Sequence, residues 1–374
     1  MAYLTPVAWR CLYGNDEAEI ILRASSQVRF YQSFTSSLSW AEHRLSVVPG
    51  LDGEETVQTA LQKYVESGRV ITFKFADVGE QRFGAEHSHI VQHYDMGNNL
   101  ATQSDRNYIT VTTVEPRILL SRVERCLVRR GGSAAEVWRS VVSQYPEINI
   151  DDTMVETAGF PAEFRVLRQA NQTDHDFIMK KLIPRAVGRE GKGGYQMTSA
   201  DGRHVGFHSQ AFNSREVALV PEEILRVQEG AAPFLPVWNG GDKLRMQGFD
   251  PDAKKLLQNE AAGVPVNLAK GKQLQTGDMQ SWCAGRSPEA VAAFGRAMHD
   301  MQPWSHWFFV TVRGTDRLGI NRDFDIKPNL ILDLSGTKYR EQGIRRGLVV
   351  AAEHEWREHH YTITFHCVRN SSDL

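Results

Sequence analysis

The sequence has few of the features that would mark a disulfide-stapled domain, a membrane span or a nucleic-acid coat. Its four cysteines, Cys11, Cys126, Cys283 and Cys367, are scattered through 374 residues. None forms a C-x-x-C pair, so zinc-ribbon and thioredoxin-like readings have no support, and buried free thiols are expected. No window approaches the ~18 consecutive apolar residues of a membrane span. Neither sign of charge dominates: Lys+Arg number 43 and Asp+Glu 45, for a formal net charge of -2. Such a chain lacks the positive excess of a general nucleic-acid binder. The stretch from Met1 to Gly14 has Arg10 inside its short apolar run and no basic leader, so no signal peptide is expected. No internal repeat and no low-complexity tract is present.

What is present is ordinary folding material: 41% hydrophobic and 24% charged residues, enough for a sizeable core. The length suggests roughly two or three domains.

The first 125 or so residues read mainly as strands. Val28 to Tyr31 is a short β-type run. From Arg69 to Phe75 the residues alternate, with Ile71, Phe73 and Phe75 on one face and Val70, Thr72 and Lys74 on the other. That is the period of a half-buried strand. Tyr108 to Val114 and Ile118 to Val123 are read likewise. One helix is expected between them, over Glu54 to Glu66, with Val57, Ala60, Leu61, Tyr64 and Val65 on one stripe.

Near residue 127 the pattern turns helical. Ser133-Ala134-Ala135-Glu136 is a capping box, in which Ser133 accepts from the amide three residues on and Glu136 reaches back to the cap amide. A second box, Thr173-Asp174-His175-Asp176, leads into Phe177, Ile178 and Leu182, and Pro184 closes it. From Gly194 to Ser209 the pattern is a β-hairpin around Asp201-Gly202. Residues from about 225 to 285 are rich in Pro, Gly, Lys and Gln and are expected to form long loops or an insertion. Ser287-Pro288-Glu289 opens a third helix to about His299. Strands close the chain over Trp307 to Arg313, Asn329 to Leu334, Gly347 to Ala352 and Tyr361 to Val368.

No residue set rises to an active-site assignment. His354 to His359 (HEWREH) fails as a zincin helix, because the position four after His354 is Glu358. It is read as a polar turn between two strands. His87 and His89 share a strand face, with Glu86 and His93 nearby, and two ligands make a weak metal site. They are read as exposed strand histidines. Gly188 to Gly194 (GREGKGG) is not a P-loop, since Gly193 follows Lys192 and a strand comes next. Lys180, Lys181, Arg185, Arg189 and Lys192 form a local basic cluster, read as a solvated face. No G-x-S-x-G elbow and no dinucleotide fingerprint occurs, and no spacing singles out a carboxylate pair. Catalytic, cofactor-binding and metal residues are therefore assigned as none.

The order of the pieces does carry a resemblance. Arg129 to Tyr145 (RRGGSAAEVWRSVVSQY) leads to Phe164-Arg165-Val166-Leu167-Arg168-Gln169-Ala170. Thr173-Asp174-His175-Asp176-Phe177 follows, then Gly193-Gly194-Tyr195, an Asp201-Gly202 turn and Val205-Gly206-Phe207-His208. This resembles the baseplate hub proteins of tailed bacteriophages and is similar to the hub part of the VgrG spike proteins of type VI secretion. The closing Arg346-Gly347-Leu348-Val349-Val350 to His354, followed by Tyr361-Thr362-Ile363-Thr364, resembles that family's last hairpin. Asn329 to Leu334 resembles the strand after its "P-G" stretch, although Asn329 follows Pro328 here. The likeness covers roughly residues 60 to 225 and 290 to 370.

The resemblance implies a mainly β fold with α+β parts. Two tube-like β-barrel domains, residues 1–126 and 206–374, would be joined through an α/β domain at 127–205, with a loop/helix insertion at about 225–300. It implies a pseudo-sixfold homotrimer in the virion tail baseplate, made in the host cytoplasm. That ring would initiate the tail tube, adapt it to a threefold spike and let DNA pass. The implied partners are a tail tube or distal tail protein, a separate spike polypeptide, a tape-measure protein and, in a contractile tail, wedge proteins. Membrane insertion, cofactors and enzymatic activity are not implied. Two alternatives stand beside it: the hub of a type VI or other contractile injector, and a metal-dependent hydrolase on a β-rich scaffold using His87, His89 or the histidines near 354 to 366. A weaker one is a hexameric distal tail or tape-associated protein.

Overall fold

The computed structural model describes residues 4–13, 16–21, 25–35, 37–47, 68, 70–77, 86–98, 107–157, 166–186, 195–209, 212–230, 243–250, 252–262, 266–268, 272–274, 279–282, 288, 291–292, 306–314, 326–342, 344–357 and 360–369. The chain is mainly β, with short helical segments concentrated in its middle.

The first region supplies β1 (Leu4–Tyr13), β2 (Asp16–Ile21), β3 (Ser25–Ser33), β4 (Trp40–Val47), β5 (Val70–Asp77), β6 (His87–Asn98) and β7 (Asn107–Val114). They are antiparallel neighbours in the order β2-β1-β5-β6-β7-β4-β3. The alternation in β5 works as expected: Ile71 and Phe73 are fully buried, while Val70 and Thr72 are half-buried. Phe30 of β3 lies 5.6 Å from Phe73 of β5 and 4.8 Å from His87 of β6, ring centre to ring centre. These strands are not neighbours, so the sheet curls until its inner face meets itself. The helix expected over Glu54 to Glu66 lies outside the described residues.

Ile118 to Val123 is not a strand. Pro116–Ser121 forms a 3-10 turn, with the Ile118 amide donating to the Glu115 carbonyl at 3.1 Å. Pro116 fixes the turn's first position and has no N–H to give a ladder. Val123 is left exposed.

The middle region holds β8 (Glu124–Arg130), α1 (Ala134–Val142), β9 (Asn149–Val155), β10 (Val166–Thr173), α2 (Asp174–Phe177), β11 (Tyr195–Ser199) and β12 (His204–Ser209). The expected hairpin is β11–β12, and β9 adds to it in parallel. β8 and β10 form a separate antiparallel ribbon. Helix α1 buries Val137, Trp138, Val141 and Val142 in a core shared with Phe177, Leu182, Met197 and Phe207. Trp138 stacks on Phe207 at 5.4 Å. Both caps form. Ser133 Oγ accepts from the Glu136 amide at 3.2 Å, but the Glu136 carboxylate takes the Gly132 amide at 2.8 Å rather than the cap's own. Thr173 Oγ1 accepts from the Asp176 amide at 3.1 Å. After one turn α2 widens into a π segment, Ile178–Leu182, then tightens into a 3-10 turn, Ile183–Arg185, at Pro184.

The last region adds β13 (Arg215–Ala218), β14 (Ile224–Gly230), β15 (Lys243–Asp250), β16 (Lys255–Ala262), β17 (Val266–Leu268), β18 (Lys272–Leu274), β19 (Met279–Trp282), β20 (His306–Arg313), β21 (Leu330–Asp333), β22 (Arg346–Arg357) and β23 (His360–Arg369). β14-β20-β23-β22 are antiparallel neighbours, and β13 pairs in parallel with β21, which flanks β22. Phe308, Val310, Val312, Leu330, Leu332 and Phe365 fill their core. The described parts of 225–285 are strands rather than long loops. The β15–β16 turn is held by Asp250 Oδ1, which accepts the Asp252 and Ala253 amides at 3.0 Å, with Lys254 at φ 51. Phe249 and Leu256 are exposed there, so at the turn end of the hairpin apolar residues do not mark a buried face. Of the helix expected after Ser287, the described residues Pro288, Val291 and Ala292 are helical.

The first and last regions meet edge to edge. β22 pairs with β3 from Ala351↔Ser33 to Arg357↔Gln27, so one 13-stranded sheet runs through both. Arg29 pairs with Glu353 at 2.7 Å on one face of this seam. On the other, His354 stacks on Phe30 at 5.5 Å. Among the described residues no strand pairing joins the two ends of the sheet.

Candidate functional site

The Thr-Asp-His-Asp-Phe motif is an organising centre of the middle region. Asp174 follows the Thr173 cap and is fully buried. Its Oδ1 accepts Arg129 Nη2 at 2.9 Å and Gln169 Nε2 at 2.8 Å. Its Oδ2 accepts Arg125 Nε at 3.0 Å and the Tyr145 hydroxyl at 2.6 Å. Gln169 Oε1 in turn accepts Arg129 Nε at 3.1 Å and Nη2 at 3.0 Å. Three segments are tied in this way: the β8–β10 ribbon, the end of α1 and the start of α2. A buried carboxylate with its acceptor sites filled by cations and a phenol is a structural clamp. It has no open position for a substrate.

A second buried pair fixes the middle region to the first. Glu115 and Arg117 are both fully buried, with Arg117 Nε 2.5 Å from Glu115 Oε1. Arg117 Nη1 donates to the carbonyls of Thr35 at 3.0 Å and Met197 at 2.8 Å, and Nη2 to that of Ser37 at 3.1 Å. Burial pushes the Glu115 carboxyl above its ordinary range, and the Arg117 charge opposes that. Beside it the β11–β12 turn docks on β6: the Ser88 amide donates to the Asp201 carbonyl at 2.8 Å. Gly202 is required here, with φ +80 and the Ser88 carbonyl oxygen 2.4 Å from where a Cβ would lie.

Asn329, the departure from the family's "P-G", sits at φ +63. It adopts the left-handed conformation a glycine would supply, as Asn does more readily than other residues. Its Nδ2 donates to the Phe212 carbonyl at 2.5 Å, and its Oδ1 accepts Gln196 Nε2 at 3.2 Å.

The histidines are placed differently from the expectation. His87 and His89 do share a face, but it is the inner face of β6, and they are 3% and 0% exposed. The sequence shows that residues i and i+2 align; it does not show which face the sheet closes over. His354 lies within β22 rather than in a turn, fully buried, with Nδ1 2.8 Å from the Tyr361 hydroxyl. The strand extends to Arg357, and residues 358–359 of the expected turn lie outside the described residues. With His43 of β4 these imidazoles surround Phe30 and Phe73. His89 Nδ1 is 3.0 Å from Thr113 Oγ1, whose hydroxyl donates to the Ala41 carbonyl. Burial holds His43 and His354 down to about 3, and holds His89 well below its usual value. His93 and Glu86 are exposed. Among the described residues no group of three or more His, Cys, Asp or Glu is placed to hold a metal.

The remaining candidates are surface features. Lys180 pairs with Asp176 at 3.0 Å and Arg185 donates to the Lys181 carbonyl at 2.6 Å. Arg189, Lys192 and the GREGKGG loop lie outside the described residues. The cysteines are not uniformly buried: Cys367 is enclosed, whereas Cys126 is exposed on β8, where its thiol donates to Asn171 Oδ1 at 2.9 Å.

No family model and no curated protein matches this sequence. The fold, however, is that of known tail proteins. The tail protein of Neisseria meningitidis MC58 superposes with a TM-score of 0.65 at 10% identity, over 99% of this chain and 97% of that one. The 43 kDa tail protein of prophage MuSo2 from Shewanella oneidensis gives 0.61 at 11% identity, over 97% and 98%. A chain of the Francisella PdpA-VgrG complex gives 0.53 at 10% identity, covering all of this chain and 59% of that one.

Proposed function

We propose that this chain is the baseplate hub of a phage tail. In this reading it forms a homotrimeric ring that adapts a sixfold tail tube to a threefold central spike and leaves a passage for DNA. The observation that carries the reading is the end-to-end likeness to two tail proteins of nearly the same length. The β-rich regions at 1–126 and 206–374 act as the two tube-like units, each completed into a barrel, and 127–205, itself held by the Asp174 clamp, is tied to the first through Arg117 and to the second through Gln196 and Asn329. The role is structural: the buried polar groups are spent on holding segments together. The ring sits in the virion baseplate. It contacts a tail tube or distal tail protein, a tape-measure protein and a spike carried on a separate polypeptide, with wedge proteins as further partners in a contractile tail.

Native mass spectrometry with electron microscopy tests this. The expected result is a species of three times 42.2 kDa with a central opening; a monomer or a hexamer at assembly concentrations overturns it. The likeness to the PdpA-VgrG complex favours one second reading, the hub of a type VI or other contractile injector. Co-purification with a spike from the same gene neighbourhood separates the two. A hydrolase using His87, His89 or His354 would need those imidazoles accessible, and they lie in the core. Stoichiometric zinc or iron by elemental analysis would revive it.

A further inference from the structure

Large apolar side chains that stand out from this chain are grouped. Among the described residues they fall at three places: Val123, Leu127 and Val128 on or beside β8, Val220 and Leu225 around the start of β14, and Phe249 and Leu256 at the β15–β16 turn. Grouped exposure of this kind marks contact surfaces. The β8–β10 ribbon is the best defined of them. Arg125 and Arg129 turn inward to Asp174. By strand alternation Cys126, Val128 and Arg130 then face outward, with Arg168 of β10 directly opposite Val128. All four are exposed, Val128 at 56%. The Asp174 clamp fixes the ribbon from beneath, so little order remains to be paid for on binding.

Charge selects which of these surfaces can meet. Around the ribbon Arg122, Arg130 and Arg168 are exposed, with no carboxylate partner among the described residues, against Glu124. Two such ribbons set face to face would oppose like charges, which disfavours a twofold contact of this surface with itself. The β15–β16 turn is balanced, with Lys254 and Lys255 against Asp250 and Asp252. The start of β14 is acidic: Glu222, Glu223 and Glu229 stand against Arg226. Glu223 Oε2 accepts the Val220 amide at 3.1 Å and shapes the turn that sets Val220 outward. A register slip between Ile224 and Arg226 leaves Leu225 outside the ladder to β20. β14 is also the end strand of the 13-stranded sheet, with no second neighbour among the described residues.

We propose that the outward face of the β8–β10 ribbon docks on the Val220–Leu225 surface of a second copy of this chain. Val128 and its neighbours meet Val220 and Leu225, and the ribbon's arginines face the acidic turn. The two surfaces differ, so the contact is head-to-tail, and such contacts close into a ring when the rotation permits. The proposal rests on the hub reading for the number of copies and adds which surfaces join them.

Native mass spectrometry and sedimentation velocity of the full chain test it. Val128→Asp, Arg168→Glu and Glu222→Arg change exposed side chains, and each should raise the concentration at which the assembly dissociates by at least about tenfold. Arg168→Glu combined with Glu222→Arg should recover most of that loss. A short bismaleimide should join Cys126 to a cysteine introduced by Leu225→Cys in the next subunit, and Cys126→Ser should abolish the link. Wild-type trimers that every variant leaves intact overturn this contact and leave the hub reading standing. Weakening by the two charge reversals without recovery in the pair, or linkage of Cys126 through Phe249→Cys instead, does the same. A wild-type monomer overturns both. A hexamer that the same variants dissolve supports the contact and overturns the hub reading alone. If Val128→Asp fails to fold, the reciprocal charge pair still decides.

Discussion

Replacing Asp174 by Asn changes almost no volume, so its effect isolates the charge and the donor pattern. In the native clamp Oδ1 faces two donors, from Arg129 and Gln169, and Oδ2 faces two more, from Arg125 and Tyr145. An Asn side chain has one acceptor oxygen. Whichever way it turns, its amide nitrogen points at two donors. Arg129 is 8% exposed, so its guanidinium loses its counter-charge without gaining water. Breaking a buried pair from one side costs about 3–5 kcal/mol. Arg125 is partly solvated and contributes little to that figure. Tyr145→Phe removes one bond to a charged acceptor, worth about 1.5 kcal/mol at a half-exposed hydroxyl. In the Asp174→Asn background the same change should cost close to nothing, so the cycle returns a coupling of about 1.5 kcal/mol. Urea titration read by hydrogen exchange in peptides over α1 and α2 measures these values. An Asp174→Asn protein within about 0.5 kcal/mol of wild type would refute the assignment of the motif as a structural clamp.

Two further outcomes follow from backbone geometry. Gly202→Ala must hold φ +80 and push a Cβ to 2.4 Å from the Ser88 carbonyl oxygen. It should destabilise by about 1–3 kcal/mol and loosen protection at β6, measured by thermal melting and hydrogen exchange; a neutral result contradicts the docking. Asn329→Gly keeps the left-handed conformation, so it should lose the side-chain bonds to Phe212, Gln196 and His208 without backbone strain. Asn329→Ala loses the same bonds and adds backbone strain, and should be less stable than the glycine variant by about 1 kcal/mol; the reverse order in a urea melt would refute the account.

The parts of the fold that were legible are those where one local signal fixes one structure. Ser133 and Thr173 mark helix starts by a hydroxyl at a fixed distance from an amide, and the structure places both. Ile71 and Phe73 alternate because one face of β5 is buried. The seam strand β22 was legible over Gly347 to Ala352 as a continuous apolar run, but its extension to Arg357, where the sequence reads as a polar turn, was not. Where local signals conflict or vanish, the reading fails. Ile118 to Val123 has strand-like side chains, but Pro116 and the tertiary bonds of Arg117 impose a turn. Near the β15–β16 turn Phe249 and Leu256 are exposed, so apolar residues there do not report a buried face. The aligned pair His87 and His89 is visible in the sequence, but its burial depends on β3 and β22 arriving from elsewhere. The clamp partners of Asp174 are dispersed from Arg125 to Gln169, and only the short motif at its centre leaves a trace in the residue order.

The β3–β22 seam also bears on synthesis. Gln27 and Glu355, bonded across it, are 328 residues apart in the chain. During translation β3 is made early and β22 near the end, so the outer edge of β3 emerges from the ribosome long before its partner exists. An unpaired strand edge invites pairing with another chain, and distant contacts form slowly. Truncated or stalled products lacking β22 should therefore be the aggregating species, and nascent chains the ones that need a chaperone until the last strands are out.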